Sequence, residues 1–284
     1  MTEQERVCLV RDDGGAYIRK RLLADIDMAM CQSKKRFVAY LIDCGVPAAR
    51  LLSYQEQPEG IIEHQEYIAP VGPPPGQADC LRLAALLHRA SRAYPGTLLQ
   101  KRVLRDEVSI EGATLGRVLL GFREKYEHYP REAFLRACQT PALRDRIAAM
   151  HAALYAAFCG EADTEACIIH NDLTPNNILP GPQPTLIDFD LAIRSSVYVD
   201  VADIVFPRTL SLYDFLPHMQ APSLADKVAL YNRVSGGEPI TVRGLKRMGA
   251  LKLFVFVMYI YAQYHAITGE LADYLALVFR EAMG

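Results

Sequence analysis

Several common sequence signatures are missing from this 284-residue chain, and each absence excludes a class of protein. The seven cysteines include no CxxC pair, so their spacing favours neither a zinc site nor a disulfide framework. No GxxxxGKS or GxxxxGKT motif occurs, which excludes a P-loop nucleotide site. There is no N-glycosylation sequon, and the polar first residues lack the apolar core of a signal peptide, so we expect a cytoplasmic protein.

An excess of one charge and long apolar runs are also missing. Lysine and arginine total 31 against 33 acidic residues, so we expect no general attraction to nucleic acid or to an anionic membrane. The most apolar stretch, 251–267, is unbroken only over 253–262, whereas a membrane span needs about 18 apolar residues. It therefore predicts a buried helix. With 51% hydrophobic residues the composition is globular, and the sequence leaves the oligomeric state open.

The first part of the chain has the pattern of a small sheet with one helix. Short apolar runs bounded by turn residues predict four strands, at 7–10, 16–22, 51–55 and 60–68. A helical spacing of apolar residues between the second and third strands, over 25–44, ends just before Gly45.

A proline-rich break, PVGPPPG at 70–76, is the sharpest change in composition. Consecutive prolines stiffen a connection and cannot join a sheet, so we predict one lobe over 1–70 and a second over 71–284. Around a strand-rich island at 167–193, the second lobe has helical patterns at 79–93, 117–138, 141–159, 224–234 and from 245 onward. The predicted fold class is α+β, with a small antiparallel sheet, a mostly helical lobe and a cleft between them.

The stretch IIHNDLTPNNIL at 168–179, followed by LIDFD at 186–190, carries the chemistry. A buried strand leads to a loop that presents Asp172, and a hairpin across the following proline-rich turn should bring Asn177 close to Asp188. An amide oxygen and a carboxylate are hard ligands of the kind that Mg²⁺ prefers. Asp172 would stand at the mouth of the same pocket, where phosphoryl transfer needs a carboxylate to orient and deprotonate a hydroxyl.

These motifs resemble those of the aminoglycoside phosphotransferase and choline kinase-like superfamily, whose pattern is H-G-D-x-x-x-x-N and then I-D-F/W-D/E. The resemblance implies a two-lobed protein kinase-like fold with ATP and Mg²⁺ as cofactors. It makes Asp172 the catalytic carboxylate, and Asn177 and Asp188 the metal ligands.

The resemblance also implies residues that support this centre. His170 braces the catalytic loop through hydrogen bonds rather than moving protons. Asp200, for which Asp203 is a rival, resembles the aspartate that supports the loop. Asp190 is either an aid to a second metal or a buried, hydrogen-bonded carboxylate. His88 resembles a structural histidine of the family.

In the first lobe the resemblance extends to the nucleotide site. The sequence Tyr-Ile-Arg-Lys at 17–20 is similar to the strand that carries the ATP-binding lysine. Neighbouring strand residues face opposite sides, so only one of Arg19 and Lys20 can point into the cleft, and we assign Lys20. The alternative is that Lys20 faces solvent and does not bind the nucleotide. Glu66 and Ile68 match the hinge whose backbone meets the adenine edge.

Two positions depart from the family pattern. The helix after the lysine strand usually carries a glutamate that holds the lysine, but this region reads QSKKR at 32–36, with Asp25 or Asp27 as substitutes. We interpret the basic run 34–36 as a solvated helix face. Asn171 replaces the usual glycine, which is tolerable because asparagine also adopts left-handed backbone angles.

The function predicted is ATP- and Mg²⁺-dependent phosphorylation of a hydroxyl on a small molecule, such as an aminoglycoside, choline, ethanolamine or a sugar. A protein kinase is disfavoured because only eleven residues separate Asp188 from Asp200, which leaves little room for a peptide-binding activation segment. The other alternative is a catalytically silent kinase-fold protein that acts as a nucleotide-binding or scaffold component.

Overall fold

The N-terminal part of the chain forms a four-stranded antiparallel sheet in the computed structural model, which describes residues 7–13, 15–22, 26–99, 132–161, 167–206 and 211–284. The strands are β1 (Val7–Asp12), β2 (Gly15–Arg21), β3 (Leu51–Gln57) and β4 (Gly60–Glu66), in the order β1–β2–β4–β3. All four predicted strands are present, although β4 ends at Glu66 rather than at 68. The register places Lys20 on β2 opposite Glu63 on β4.

Helix α1 (Met28–Asp43) follows the second strand and has clear start and stop signals. The carboxylate of Asp27 caps it by accepting the amide of Met30 at 2.8 Å. The chain leaves the helix through Gly45, whose φ of +80° costs glycine little. The buried face of α1 carries apolar and polar side chains: Cys31, Ser33, Lys34, Phe37, Val38 and Leu41.

After the proline-rich segment, most of the residues that the structure describes are helical. The helices are α2 (Gln77–Arg92), α3 (Glu132–Ala137), α4 (Pro141–Glu161), α5 (Tyr198–Val205), α6 (Phe215–Gln220), α7 (Ser223–Ser235), α8 (Val242–Phe256), α9 (Ala262–Tyr264) and α10 (Gly269–Met283), with a π-helical turn (Val257–Tyr261) after α8. The helical pattern predicted from 245 onward is interrupted, because Thr268 caps a new helix. The predicted helix at 117–138 lies outside the described residues up to 131.

The strand-rich island forms two small ladders. β5 (Cys167–Ile169) pairs with β8 (Ile193–Ser195), and β6 (Ile178–Leu179) pairs with β7 (Thr185–Leu186), both antiparallel. β7 also binds the segment before β3, since the amide of Ala49 donates to the carbonyl of Leu186 and the amide of Leu186 donates to the carbonyl of Pro47, both at 2.9 Å. The predicted hairpin is therefore present and is attached to the N-terminal part of the chain.

The buried core includes side chains from both ends of the chain. Phe37 and Leu41 of α1 belong to the same cluster of buried side chains as Leu251 of α8 and Leu275 of α10. The division of the chain into two lobes at residue 70 stays a prediction. Helix α1, which precedes residue 70, packs on the helical part as well as on the sheet. Within the described ranges, no helix is both long enough and apolar enough to cross a membrane.

Candidate active site

The loop after β5 has a left-handed residue at its centre. Asn171 has φ +64°, the conformation for which an asparagine in place of glycine is suited. The loop is fixed by the buried carboxylate of Asp200, which accepts the backbone amides of His170 and Asn171, each at 2.8 Å. Both amides therefore point towards α5, and the next residue, Asp172, is half-buried.

Asp200 is itself held by a buried polar chain. The Nε2 of His88 lies 3.0 Å from Asp200, and its Nδ1 lies 2.7 Å from the hydroxyl of Tyr231. Burial alone would raise the pKa of Asp200, but hydrogen bonds from His88 and the loop amide lower it below its usual value. Asp203, the rival candidate, pairs with Lys252 instead. Asp200 therefore contacts the loop after β5 directly.

His170 joins the loop to the next strand region. Its Nε2 lies 2.8 Å from the carbonyl oxygen of Ile187, which can only accept, so Nε2 carries a proton. Its ring packs against Phe189 with the two ring centroids 4.9 Å apart. These contacts suit the bracing role predicted for His170.

Asp172 and Asn177 are directly bonded to each other. The side-chain Nδ2 of Asn177 donates to the carboxylate of Asp172 at 2.9 Å and to its backbone carbonyl at 2.8 Å. The backbone carbonyl of Asn177 accepts the amide of Ile187 at 3.0 Å, which brings Asn177 beside the strand that leads to Asp188. The hairpin thus brings together the three residues predicted from the motif.

Asp188 has an unusual backbone and a partly accessible side chain. Its φ is +60°, and its side chain is 40% exposed. One carboxylate oxygen, Oδ1, lies 2.7 Å from the Nζ of Lys20.

Lys20 points into the site rather than into solvent. It is 7% exposed, whereas its neighbour Arg19 is exposed. Its Nζ lies 2.7 Å from Asp188 and 2.7 Å from Asp190. Burial would lower the pKa of Lys20, but the charges of Asp190 and Asp188 outweigh burial and raise it. The ammonium therefore stays protonated near neutral pH.

Lys34 is a member of this cluster that the sequence interpretation missed. The prediction that 34–36 is a solvated face is wrong for Lys34, which is buried, with its Nζ 2.6 Å from both Glu63 and Asp190. Burial would raise the pKa of Asp190, but Lys34 and Lys20 together lower it far below its usual value. Asp27, a proposed substitute for the helix glutamate, caps α1. Asp25 lies outside the described residues.

The predicted hinge residues lie at the end of β4. Glu66 is its last residue, and its backbone amide donates to the carbonyl of Arg50 at 2.8 Å. Ile68 follows in an irregular, half-buried segment that leads to the proline-rich stretch. The amide of Val71 then donates to the carbonyl of Pro180 at 3.0 Å, so this segment runs alongside the hairpin.

A comparison with models of protein families identifies the family. Residues 3–229 match the model described as APH, the phosphotransferase enzyme family. The chain belongs to this phosphotransferase family. No curated protein sequence matches the chain significantly.

Solved structures share the fold of this phosphotransferase at low sequence identity. An aminoglycoside phosphotransferase from Alicyclobacillus acidocaldarius is 16% identical with a TM-score of 0.56, over 99% of this chain and 87% of that one. One from Streptomyces rimosus, in complex with ADP and streptomycin, is 14% identical with a TM-score of 0.51, over 87% and 90%. A choline kinase from Streptococcus pneumoniae is 15% identical with a TM-score of 0.52, over 100% and 91%. The predicted kinase-like α+β fold is confirmed.

The polar atoms of the phosphotransferase site suit a hard divalent cation. Because the Nδ2 of Asn177 is committed to Asp172, the remaining polar atom of its side chain is an amide oxygen. Together with the carboxylate of Asp188 it provides two of the oxygen ligands that Mg²⁺ prefers. No cluster of three or more histidine, cysteine, aspartate or glutamate side chains in the described part of the chain is arranged to hold a metal. A magnesium site here would therefore be completed by phosphate oxygens and water, as is usual for nucleotide-bound Mg²⁺.

A separate cavity of about 480 Å³ lies between α3 and the segment 262–266, which comprises α9 and the two residues after it. Among the described residues that line it, the polar ones are Arg136, Gln263, Tyr264 and His265, and the others are alanines. Tyr264 lies in the stretch 251–267, which the sequence predicts to be a buried helix. It is 72% exposed, so it is not a core residue.

Proposed function

We propose that this phosphotransferase moves the γ-phosphoryl group of ATP, with Mg²⁺, to a hydroxyl group of a small molecule. The observation that carries the proposal is the bonded pair of Asp172 and Asn177, 2.8–2.9 Å apart, on the loop and hairpin that also present Asp188. A carboxylate next to two oxygen ligands is the arrangement that phosphoryl transfer needs.

In this proposal Asp172 accepts the proton of the attacking hydroxyl. The amide of Asn177 fixes the carboxylate, and the half-buried position of Asp172 keeps it reachable for a substrate. Asn177 and Asp188 would hold Mg²⁺, which when bound neutralises phosphate charge and orients the phosphoryl group. Asp200 and His170 hold the loop and contact no reacting atom.

The nucleotide would lie between the sheet and the hairpin. Lys20 supplies a fixed positive charge for the phosphate oxygens, since its raised pKa keeps it protonated. At the hinge, the amide of Glu66 is bonded within the sheet region, so we assign adenine recognition to the carbonyl of Glu66 and the amide of Ile68. The complex of the S. rimosus phosphotransferase with ADP supports a nucleotide site in this fold.

The acceptor class that we propose is a small hydroxyl compound. Solved structures of this fold include an aminoglycoside phosphotransferase with streptomycin and a choline kinase. Only eleven residues lie between Asp188 and Asp200, and helix α5 already begins at Tyr198, which leaves little room for a peptide-binding segment. Aminoglycosides, choline, ethanolamine and sugars are the compounds to test. We also propose a cytoplasmic location, without a nucleic acid or membrane partner.

A catalytically silent nucleotide-binding or scaffold protein is the second candidate. The observation that favours it is the lysine at position 34, on the helix where relatives are expected to carry a glutamate. Lys20 is nevertheless held by carboxylates at 2.7 Å, so the departure does not leave the nucleotide lysine without an anchor.

The proposal is tested by screening hydroxyl compounds with the purified protein, ATP and MgCl₂. ADP release is followed in a coupled assay, and products are identified by mass spectrometry. We expect one compound class to stimulate ADP release, and EDTA to abolish it. If calorimetry shows binding of Mg-ADP while no compound is phosphorylated, the silent alternative is supported. If neither binding nor turnover occurs, the proposed function is wrong.

A further inference from the structure

Lys20, the lysine of the proposed nucleotide site, is held by a carboxylate that does not come from helix α1. We propose that Asp190 takes the place of the missing helix glutamate as the lasting anchor of Lys20, and that Lys34 is the positioning residue that holds Asp190. This inference rests on the proposed function, because it concerns the same site.

Both carboxylate oxygens of Asp190 are engaged by lysines. Its Oδ2 lies 2.7 Å from the Nζ of Lys20, and its Oδ1 lies 2.6 Å from the Nζ of Lys34. Asp190 is thus a bridge between two ammonium groups that come from different elements, β2 and α1. A carboxylate with both oxygens committed in this way is a poor metal ligand, so we assign Asp190 to the lysines and not to a second metal.

Lys34 is held from its other side as well. Its Nζ lies 2.6 Å from the Oε2 of Glu63, which is 2% exposed and accepts the hydroxyl of Tyr54 at 2.9 Å. The cluster is therefore a row of alternating charges, in the order Glu63, Lys34, Asp190, Lys20, Asp188. Buried charges are tolerated when each has a partner of opposite sign, and every member of this row has one.

A packing contact places Lys34 next to the metal-binding motif. One helical turn further along α1, the ring of Phe37 meets the ring of Phe189 edge to face, with centroids 6.3 Å apart. Adjacent residues 189 and 190 are therefore contacted by the same face of α1. Since Lys34 and Phe37 are three apart on a helix, they act as one surface that fixes the segment after Asp188.

The arrangement explains how Lys20 stays oriented during the proposed reaction. Asp188 is the proposed metal ligand, so its carboxylate has to serve both the cation and Lys20. Asp190 is not assigned to the cation, so its carboxylate serves the lysines alone. Lys34 keeps this carboxylate 2.7 Å from Lys20. Without Lys34 we expect Asp190 to turn away and Lys20 to lose the position in which it meets phosphate oxygens.

The test uses three variants at Lys34: Lys34→Met, Lys34→Arg and the double variant Lys34→Met/Glu63→Gln. The control is Arg36→Met, because Arg36 is exposed on the same helix. The double variant removes both members of one buried pair, so no charge is left without a partner on that side. Melting temperature is measured for each variant. Mg-ADP affinity is measured by calorimetry, and slow ATP hydrolysis, with water as the acceptor, is measured with MgCl₂.

We expect Lys34→Met to lower the melting temperature and Lys34→Met/Glu63→Gln to recover most of it. ATP hydrolysis by the double variant should stay about 10²-fold below wild type, because misplacing a positioned group by about 1 Å costs that much. The Michaelis constant for ATP should rise. Lys34→Arg should retain more activity than Lys34→Met, and Arg36→Met should match wild type. If the double variant matches wild type in hydrolysis and Mg-ADP affinity, Lys34 only neutralises Glu63 and the inference is overturned.

A second readout needs no nucleotide chemistry. Lys20 is labelled with acetic anhydride and the rate is read by mass spectrometry in wild type, Asp190→Asn and Arg36→Met. Asp190→Asn removes one of the two carboxylates that hold the Nζ of Lys20. Lys20 should therefore be labelled faster in Asp190→Asn, whereas its labelling rate should not change in Arg36→Met. Equal rates in all three proteins would overturn the anchor. If wild type fails to bind Mg-ADP, the proposed function is wrong, but the labelling result still decides whether Asp190 holds Lys20.

Discussion

A single buried charge, that of Asp200, holds the loop after β5 in its shape. Asp200 accepts two loop amides at 2.8 Å and lies 3.0 Å from His88, with no exposure to solvent. In Asp200→Asn an NH₂ group, which donates, replaces one of the two carboxylate oxygens. It would then face a loop amide that can also only donate. We expect a loss of about 3–5 kcal/mol in the free energy of unfolding, measured by urea denaturation, with loss of activity. Asp226→Asn, at an exposed site, should change stability by less than about 1 kcal/mol.

The pH dependence of this effect has a definite sign. The pKa of Asp200 is lowered in the folded state, so its charge stabilises the fold above the unfolded value of about 3.9 and the contribution is lost as pH falls further. The stability difference between wild type and Asp200→Asn should therefore be full at neutral pH and shrink in acid. A difference that grows as pH falls would contradict the assigned hydrogen bonds.

At the residue scale the sequence predicts most of the site, because the motif spacing and the hairpin place Asp172, Asn177 and Asp188 together. Lys34 was missed since a basic run normally faces water. The available signal was its place in the apolar stripe of α1, three residues after Cys31 and three before Phe37. Its partner Glu63 lies on β4, and no local pattern shows which strand residue meets Lys34 of α1.

At the scale of elements, helix α8 supports the helix that carries Asp200. The ring of Tyr198, at the start of α5, lies over Gly244 so closely that an added Cβ would be 2.6 Å from it. Because Tyr198 is buried, the ring cannot move aside easily. Gly244→Ala should therefore reduce the free energy of unfolding by about 1–3 kcal/mol, as measured by chemical denaturation.

Gly269→Ala is the matched control for that substitution. Gly269 also lies near the start of a helix, α10, but a Cβ there would meet nothing within 4 Å. We expect it to be neutral or stabilising by up to about 1 kcal/mol. Equal losses in both variants would mean that the contact with Tyr198 does not matter.

Element prediction succeeds where periodicity and caps agree, as for α1, and fails for short elements such as α5 and β8. All eight residues of α5 are buried, so its sequence shows no apolar stripe from which a helix is recognised. Strand β8 has three residues, too few for an alternating pattern, and forms because it pairs with β5. Both elements are determined by tertiary contacts rather than by local sequence.

At the scale of the whole molecule, the sheet and the hairpin meet through backbone hydrogen bonds of the segment 47–49 and through the row of charges at Lys20. Sequence reasoning cannot find the first link, because it joins two segments that are far apart in the chain. A nucleotide bound between these parts should stabilise both. Mg-ADP at 100 times its dissociation constant should raise the free energy of unfolding by about 2.7 kcal/mol.

This linkage is checked by following thermal unfolding with Mg-ADP, with ADP plus EDTA, and without nucleotide. The shift should be largest with Mg-ADP and reduced in Lys20→Met. An unchanged shift in Lys20→Met would show that Lys20 contributes nothing to nucleotide binding.

The most direct test of the account is Asp172→Asn, studied with the acceptor found in the screen. Asparagine keeps the size of the side chain and its contact with Asn177 but cannot accept a proton as a carboxylate does. We expect kcat to fall by about 10²–10⁴-fold, while the affinity for Mg-ADP in calorimetry stays within a factor of about three of wild type. Phosphoryl transfer at the wild-type rate by Asp172→Asn would contradict the assignment of Asp172 as the base.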